Sequence, residues 1–210
     1  MKKILIVGAG GFGREVYGWT TNSQENYADW KLVGFIDDNL SALDGYNYDV
    51  SIVSTISDYQ PKIDEYLVMA LGNPKSKSKI VDLLESKGAR FETFIHKTAF
   101  VGKGVKIGTG VVMCPHSTIT CDASIGDFVT FNVYSGAGHD TKIASYSTLS
   151  AHVDITGFVK IGKRVIIGSH ACILPGVSVG DDAVVGAGSV VVKNVKEGQT
   201  VFGNPAKAIL

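Results

Sequence analysis

Apolar residues recur at every sixth position from Ile95 to Val191, and no step of this series is interrupted. A small or β-branched residue stands four positions after each of them, so a second column repeats with the same period. A period of six matches neither a helix nor a simple alternating strand, and a fixed self-repeat is typical of solenoids. The pattern predicts a parallel β-helix in which three hexapeptides, about 18 residues, form one coil.

A different pattern precedes the repeat. Residues 3–7 (KILIV) form a largely apolar run, and the glycine-rich stretch GAGGFG (residues 8–13) follows directly. This order predicts a strand, a tight turn and a helix whose free N–H groups face a phosphate, which is the first unit of a Rossmann-like fold. The further predicted elements are strands at residues 32–36, 67–71 and 91–95 and a helix at residues 75–87.

These patterns divide the chain into three predicted regions. Residues 1–94 form a small α/β Rossmann-like N-terminal domain, and residues 95–192 form the β-helix. Residues 193–210, which include the segment VFGNPAK, form a short C-terminal cap over the open end of the stack.

Composition narrows the possible partners. The 210 residues include 20 basic and 20 acidic side chains without a basic run, which argues against nucleic acid or an anionic membrane as a partner. The apolar start is too short for a signal-peptide core, and no stretch is long and apolar enough to span a membrane. Cys114, Cys121 and Cys172 lack CxxC spacing and are expected to be free thiols. These features predict a cytoplasmic protein.

The glycine motif by itself admits several interpretations. GxGxxG also occurs in NAD-dependent oxidoreductases and in turns that bind no ligand. About four strands are too few for the usual two-halved dinucleotide fold, whereas a nucleotide attached to a sugar needs only one half. Asp37 and Asp38 follow the second predicted strand, where an acidic residue accepts a hydrogen bond from a ribose hydroxyl.

One hexapeptide departs from the repeat. Its inward position holds only Ala137, and His139 stands at an outward position directly before Asp140. A carboxylate fixes the tautomer of a neighbouring imidazole, so the pair is a candidate general base; the alternative is an ordinary solvent-exposed histidine. Gly157 falls at the same place one predicted coil later, where its N–H is suited to stabilise an oxyanion.

The other outward rings form a second regular series. His116, Tyr134, His152 and His170 are one coil apart and are predicted to stack in one column. A zinc site would need imidazoles that converge from different directions, so a stacked surface is the simpler interpretation.

Several segments together resemble one family. GAGGFGREV, GFIDD, ALGNPK and FIHKTA, followed by the hexapeptide repeat, are similar to the bacterial sialic acid O-acetyltransferase and nucleotide-linked 4-amino-sugar N-acetyltransferase family. The resemblance extends over residues 3–209. It implies a left-handed β-helix, a homotrimer with active sites between subunits, a nucleotide sugar held by the N-terminal domain, acetyl-CoA as acyl donor, and no metal.

The resemblance also implies roles for individual residues. His139 and Asp140 match the family's catalytic histidine and its acidic partner, and Asn132 matches a substrate contact. The residues that match nucleotide-sugar contacts are Gly10, Gly11 and Phe12 at the phosphates and sugar, Asp37 and Asp38 at the nucleoside, and Gly72. The residues that match CoA contacts are Thr148, Ser169, Ala187 and Lys207 of the GNPAK ending.

The predicted function is acetyl-CoA-dependent N-acetylation of the 4-amino group of a UDP-, dTDP- or GDP-linked amino-deoxy sugar in surface glycan biosynthesis. In this mechanism His139 acts as general base, and the amine attacks the thioester directly. Three alternatives stay open at this point: O-acetylation of sialic acid or another sugar hydroxyl, a zinc lyase of the γ-carbonic anhydrase type, and a non-catalytic scaffold.

Overall fold

The computed structural model describes residues 1–209 and begins with an α/β layer. Its elements are β1 (Lys2–Val7), α1 (Gly11–Asn22), a 3₁₀ turn (Gln24–Tyr27), β2 (Trp30–Ile36), β3 (Ile52–Ser54), β4 (Glu65–Met69) and α2 (Pro74–Ser86). The strands are parallel and follow the order β3-β2-β1-β4. The carboxyl end of β1 therefore borders the point where the strand order reverses, which is where such sheets bind ligands. Within residues 1–209, no helix is long and apolar enough to cross a membrane.

The predicted elements of this layer are largely present, with two differences. The prediction missed β3, because a strand of three residues is too short to establish an alternating pattern. The predicted strand at residues 91–95 is split: Phe91 forms a single bridge with Leu67, and Phe94–Ile95 already pairs within the β-helix. Helix α2 begins one residue earlier than predicted, since Asn73 Oδ1 accepts a capping hydrogen bond from Ser76 N–H at 3.0 Å.

The following residues form a parallel β-helix of two-residue strands. These are β5 (Phe94–Ile95), β6 (Phe100–Val101), β7 (Lys106–Ile107), β8 (Val112–Met113), β9 (Thr118–Ile119), β10 (Ser124–Ile125), β11 (Thr130–Phe131), β12 (Gly136–Ala137), β13 (Lys142–Ile143), β14 (Thr148–Leu149), β15 (Asp154–Ile155), β16 (Lys160–Ile161), β17 (Ile166–Ile167), β18 (Cys172–Ile173), β19 (Ser178–Val179), β20 (Val184–Val185) and β21 (Val190–Val191). Each strand from β5 to β18 pairs with the strand one coil later, as Val112 does with Thr130. The predicted period and coil are confirmed.

Three flat faces result from this pairing. The five-stranded face contains β7, β10, β13, β16 and β19, and the six-stranded face contains β6, β9, β12, β15, β18 and β21. The eight-stranded face contains β5, β8, β11, β14, β17 and β20 and ends with β22 (Thr200–Gly203) and β23 (Ala206–Ala208). The last two strands form an antiparallel hairpin within residues 193–210, for which the sequence predicts a C-terminal cap.

The two sequence columns fill the interior of this prism. Phe131, Leu149 and Ile167 from the apolar column are fully buried. In the small column, Ser117 Oγ donates to Cys114 O at 2.8 Å, so the hydroxyl satisfies a carbonyl at the turn. The six-residue period therefore encodes both the apolar core and the turns that surround it.

Three vertices join the faces, and each carries residues in the left-handed backbone region. The Phe128 vertex lies between the five- and eight-stranded faces, the Tyr134 vertex between the eight- and six-stranded faces, and the His139 vertex between the six- and five-stranded faces. The left-handed residues are Phe128, Tyr146, Arg164 and Asp182 at the first vertex, His116, Tyr134, His152 and His170 at the second, and Asp122, Asp140 and Phe158 at the third.

The α/β layer packs on the eight-stranded face. Lys77 of α2 donates from Nζ to Thr130 Oγ1 at 2.9 Å, and the ring of Phe91 meets that of Phe128 edge-on at 5.0 Å. Tyr27 Oη accepts from Ile95 N–H at 2.7 Å, at the first strand of the prism. The contact therefore reaches from the lower end of the eight-stranded face to the Phe128 vertex.

Candidate active site

The glycine-rich turn joins β1 to α1 at the carboxyl edge of the sheet. Gly10 and Gly11 are exposed, and a Cβ added to either would meet no atom within 4 Å. Gly13 differs, because a Cβ there would lie 1.9 Å from Gly8 O, so helix packing requires this glycine. The first two glycines therefore leave the N-terminus of α1 open to a ligand, and we call this region the crevice.

Two acidic side chains at the end of β2 have structural partners. Asp37 Oδ2 accepts from Ala9 N–H at 2.6 Å and its Oδ1 accepts from Asn39 N–H at 2.8 Å. Asp38 Oδ1 accepts from Ile56 N–H at 2.8 Å. Both carboxylates order the loops of the crevice, and each oxygen keeps a further lone pair for a ligand hydroxyl.

Gly72, Phe12 and Arg14 complete the crevice. Gly72 is exposed, with no atom within 4 Å of an added Cβ, and the ring of Phe12 meets that of Trp19 edge-on at 6.3 Å. The sequence prediction missed Arg14, whose guanidinium carbon lies 3.7 Å from the centroid of the Tyr46 ring. Its buried Nε has no hydrogen-bond partner within residues 1–209. A guanidinium held on an aromatic ring in this way is suited to an anionic ligand.

The His139 vertex carries the candidate base. His139 Nδ1 and Asp140 Oδ2 are 2.9 Å apart, and about half of each side chain is exposed. With the carboxylate accepting from Nδ1–H, Nε2 is the nitrogen with a free lone pair. The ring of Phe158, which the sequence prediction did not include, meets the imidazole edge-on at 5.0 Å. The 18-residue coil could have predicted Phe158 at this vertex, because it lies one coil after Asp140.

Gly157 faces the imidazole directly. A Cβ at this position would lie 2.6 Å from both Cε1 and Nε2 of His139, so only glycine leaves room for the ring. At the Phe128 vertex, Thr109 holds the same position within its hexapeptide, and its N–H donates to Asp127 Oδ1, one coil later, at 2.9 Å. The corresponding residue after Gly157 is Pro175, and no acceptor for Gly157 N–H occurs in the described part of the chain. The residue that faces the imidazole therefore has an unpaired N–H, as an oxyanion donor must have.

Three other predicted site residues lie at the Tyr134 vertex. Asn132, Ser169 and Ala187 are thus at the opposite edge of the six-stranded face from His139. Asn132 Oδ1 accepts from the neighbouring Val133 N–H at 2.6 Å, whereas Ala187 is exposed. The structure therefore groups the predicted contacts at two neighbouring vertices of the prism.

Thr148 lies apart from these residues. It is on the eight-stranded face, only 7% exposed, and its Oγ1 accepts from Lys77 Nζ at 3.1 Å. The sequence prediction did not include Lys77, which is fully buried, and this burial lowers the pKa of its amine to about 7. The Thr148 hydroxyl therefore belongs to the contact between the α/β layer and the prism, whereas Lys207 lies exposed on the terminal hairpin.

The predicted ring column at the Tyr134 vertex is confirmed. The stacked centroids are 4.9 Å apart for His116 and Tyr134, 5.0 Å for Tyr134 and His152, and 4.6 Å for His152 and His170. In the region that the structure describes, no group of three His, Cys, Asp or Glu side chains converges in the manner of a metal site.

The crevice and the His139 vertex lie on opposite sides of one chain. The α/β layer covers the eight-stranded face through Lys77 and Thr130, whereas the His139 vertex joins the other two faces. The layer that holds the crevice therefore packs on the face opposite the His139 vertex of the same chain.

Comparison with known proteins identifies both halves of this architecture. Residues 3–84 match the model of the PglD N-terminal domain, and residues 158–193 match that of the hexapeptide repeat of succinyl-transferase. The solved structure of WeeI from Acinetobacter baumannii AYE has 30% sequence identity and a TM-score of 0.89, with 100% of both chains covered. The chain belongs to the PglD-like hexapeptide-repeat acyltransferases. The predicted family and fold class are thereby confirmed.

Two further PglD-like proteins are informative. The GDP-perosamine N-acetyltransferase of Escherichia coli O157:H7 is 32% identical over 140 residues, which cover 66% of this chain and 62% of that protein. The matched part is therefore less than two thirds of the curated relative's length. The acetyltransferase domain of PglB from Neisseria gonorrhoeae FA1090, solved with acetyl coenzyme A, is 26% identical, with a TM-score of 0.88 over 99% of both chains. The roles of individual residues stay predictions.

Proposed function

We propose that this PglD-like chain is an acetyl-CoA-dependent N-acetyltransferase that acts on the 4-amino group of a nucleotide-linked amino-deoxy sugar. The observation that carries the proposal is the His139 vertex, where Asp140 Oδ2 lies 2.9 Å from Nδ1 and Gly157, whose N–H is unpaired, faces the imidazole. The similarity to a GDP-perosamine N-acetyltransferase supports the acceptor class, and the similarity to a PglB domain bound to acetyl coenzyme A supports the donor.

The chemistry follows from the two groups that face the reacting atoms. The neutral sugar amine attacks the thioester carbonyl carbon while His139 Nε2 accepts the proton that the nitrogen loses. The carbonyl oxygen becomes negative and is stabilised by Gly157 N–H. Collapse of the tetrahedral intermediate forms the amide and expels the thiolate of CoA, which takes the proton back from the imidazolium. Asp140 keeps the imidazole in the tautomer that this sequence needs.

The crevice is the proposed site of the nucleotide part of the acceptor. Gly10 and Gly11 leave the N-terminus of α1 open to the diphosphate, and Arg14 supplies a cation beside it. Asp37 and Asp38 present carboxylate oxygens at the end of β2 for the nucleoside hydroxyls.

The separation of crevice and base requires more than one copy of the chain. We infer a homotrimer in which the nucleotide sugar held by one protomer reaches His139 of another, because the prism separates the two sites within one chain. Closed cyclic symmetry gives each protomer the same neighbour, so all sites of the trimer are equivalent. Asn132, Ser169, Ala187 and Lys207 are then proposed contacts to acceptor and CoA along the prism edges.

The three cysteines support a cytoplasmic location, where both proposed substrates would be available. Cys114, Cys121 and Cys172 are all free thiols, as is usual in a reducing compartment.

A thiol-release assay tests the function. Release of CoA from acetyl-CoA is measured with UDP-, dTDP- and GDP-linked 4-amino sugars, and the matching 4-hydroxy sugars and free sialic acid serve as the hydroxyl acceptors. We expect release only with a 4-amino sugar, together with a product heavier by one acetyl group. Release only with sialic acid or a 4-hydroxy sugar would establish O-acetylation instead, and inactivity with every 4-amino sugar contradicts the proposal.

A further inference from the structure

The ring column at the Tyr134 vertex ends with an open face. The rings of His152 and His170 are 4.6 Å apart and nearly parallel, at 5°. Gly188 stands one coil above His170, and a Cβ added there would meet no atom within 4 Å. The upper face of the His170 imidazole is therefore uncovered where the next ring of the column would lie.

The backbone does not require a glycine at this position. Gly188 has a φ of +68°, but His116, Tyr134, His152 and His170 carry full side chains at φ values of 57° to 60°. Gly110 at the Phe128 vertex shows the contrast, because a Cβ there would lie 2.4 Å from the ring of Phe128. The gap above His170 is thus a feature of the sequence and not a consequence of crowding or of the turn.

Proposed CoA contacts surround the gap. Ser169 precedes His170 and Ala187 precedes Gly188 along the chain. Strand β22 continues to Gly203, whose N–H donates to Ser189 Oγ at 3.2 Å, so the hairpin that bears Lys207 starts beside the same vertex. An exposed cation therefore lies on the element next to the open ring.

We propose that the adenine ring of CoA stacks on His170 in the gap left by Gly188, as the next ring of the column. This inference rests on the proposed use of acetyl-CoA. Purine rings stack on histidine and other aromatic side chains. A free ring is not held to the inter-strand spacing of about 4.8 Å, so it can approach the imidazole more closely than the rings of the column approach one another. Lys207 is then available to the phosphates of CoA.

Equilibrium binding of CoA and of adenosine 3′,5′-bisphosphate, measured by calorimetry, tests the site without any acetyl transfer. His170→Ala should weaken the binding of both about tenfold, which is within the usual effect of removing a stacking ring. His170→Phe should restore it, because a ring returns without the imidazole nitrogens. Gly188→Tyr should weaken binding as well, since the chain's own ring then occupies the gap.

The matched control is His116→Ala, which removes a ring at the lower end of the same column and should leave the affinity for CoA unchanged. Unchanged affinity in both His170→Ala and Gly188→Tyr overturns the proposal, and so does an equal loss in His116→Ala. If His170→Ala does not assemble, Gly188→Tyr decides alone. A protein that binds CoA with these ratios but acetylates no amino sugar contradicts the proposed function and leaves the stacking site intact.

Discussion

Lys77 Nζ donates to Thr130 Oγ1 at 2.9 Å, across the boundary between helix α2 and the prism. A second hydrogen bond reaches Thr148 Oγ1 at 3.1 Å, and the side chain is fully buried. No carboxylate pairs with this amine among the described residues. Burial without a counter-charge disfavours the protonated form, which is why the pKa of Lys77 falls from 10.5 to about 7.

Because of Lys77, the free energy of unfolding should vary with pH in the alkaline range. Between about pH 7 and 10.5 the unfolded chain holds a proton on this amine that the folded chain lacks, so the free energy of unfolding rises with pH. The contribution of one such group is about 1.4 kcal/mol per pH unit within this window. Below pH 7 both states are protonated and the contribution no longer changes.

Denaturant unfolding of the wild type and Lys77→Met at pH 7.5 and 9 measures this effect. The stability difference between the two proteins should shift in favour of the wild type as pH rises, whereas Lys79→Met, an exposed change on the same helix, should follow the wild type. Parallel behaviour of all three proteins would show that Lys77 does not titrate in this range.

Much of the fold could be predicted from the sequence, because the prism is built from one six-residue pattern that repeats along the chain. Ile119, Ile125 and Phe131 occupy the inward position of three successive hexapeptides, so six-residue spacing defines strand, turn and register together. The contact of Lys77 with Thr148 was not accessible, because it joins residues 71 positions apart on two different kinds of element. Nothing local to either residue marks such a contact.

The site was predictable to a similar extent. The break in the repeat located His139, and coil arithmetic located Gly157 beside it. The hydrogen bond that Asp37 accepts from Ala9 N–H could not be predicted from the sequence. An acidic residue at the end of β2 can accept a hydrogen bond either from the backbone of a turn or from a ribose hydroxyl. The separation of the crevice from His139 could not be predicted from the sequence either, because it depends on which face of the prism α2 covers.

His139→Ala should lower kcat about 10²- to 10⁴-fold, the range for loss of a positioned proton acceptor. KM for both substrates should change little, because the imidazole acts mainly in the transition state. Steady-state kinetics at pH 7 with the amino sugar identified by the thiol-release assay provides the measurement. Asp140→Asn, which keeps the shape and removes the charge, should lose less than His139→Ala.

A His139→Ala protein with unaltered kcat at pH 7 excludes the imidazole as base. His116→Ala serves as the comparison, since it removes an exposed histidine at another vertex and should retain full activity.

Gly157→Ala should impair catalysis while His139 stays chemically intact. The added Cβ would lie 2.6 Å from Nε2 of the imidazole, so the ring must leave its position. Displacing a catalytic group by about 1 Å costs on the order of 10²-fold in rate. Gly136→Ala is the matched control, because its added Cβ meets only Thr118 O at 3.8 Å. Equal kcat for Gly157→Ala and Gly136→Ala would show that the imidazole tolerates displacement.

The strongest test of the shared site uses two inactive variants together. Gly10→Val fills the open space at the N-terminus of α1, so it should block the acceptor and leave CoA binding intact. His139→Ala keeps the crevice and removes the base.

If each site combines the crevice of one protomer with His139 of another, random mixed trimers form intact sites at about one in four positions. The two variants are mixed in equal amounts, unfolded and refolded together, and the rate is compared with that of each variant refolded alone. Recovery of about a quarter of the wild-type rate is expected. If crevice and base served the same chain, no mixed trimer would hold an intact site, and the mixture would stay as inactive as its components.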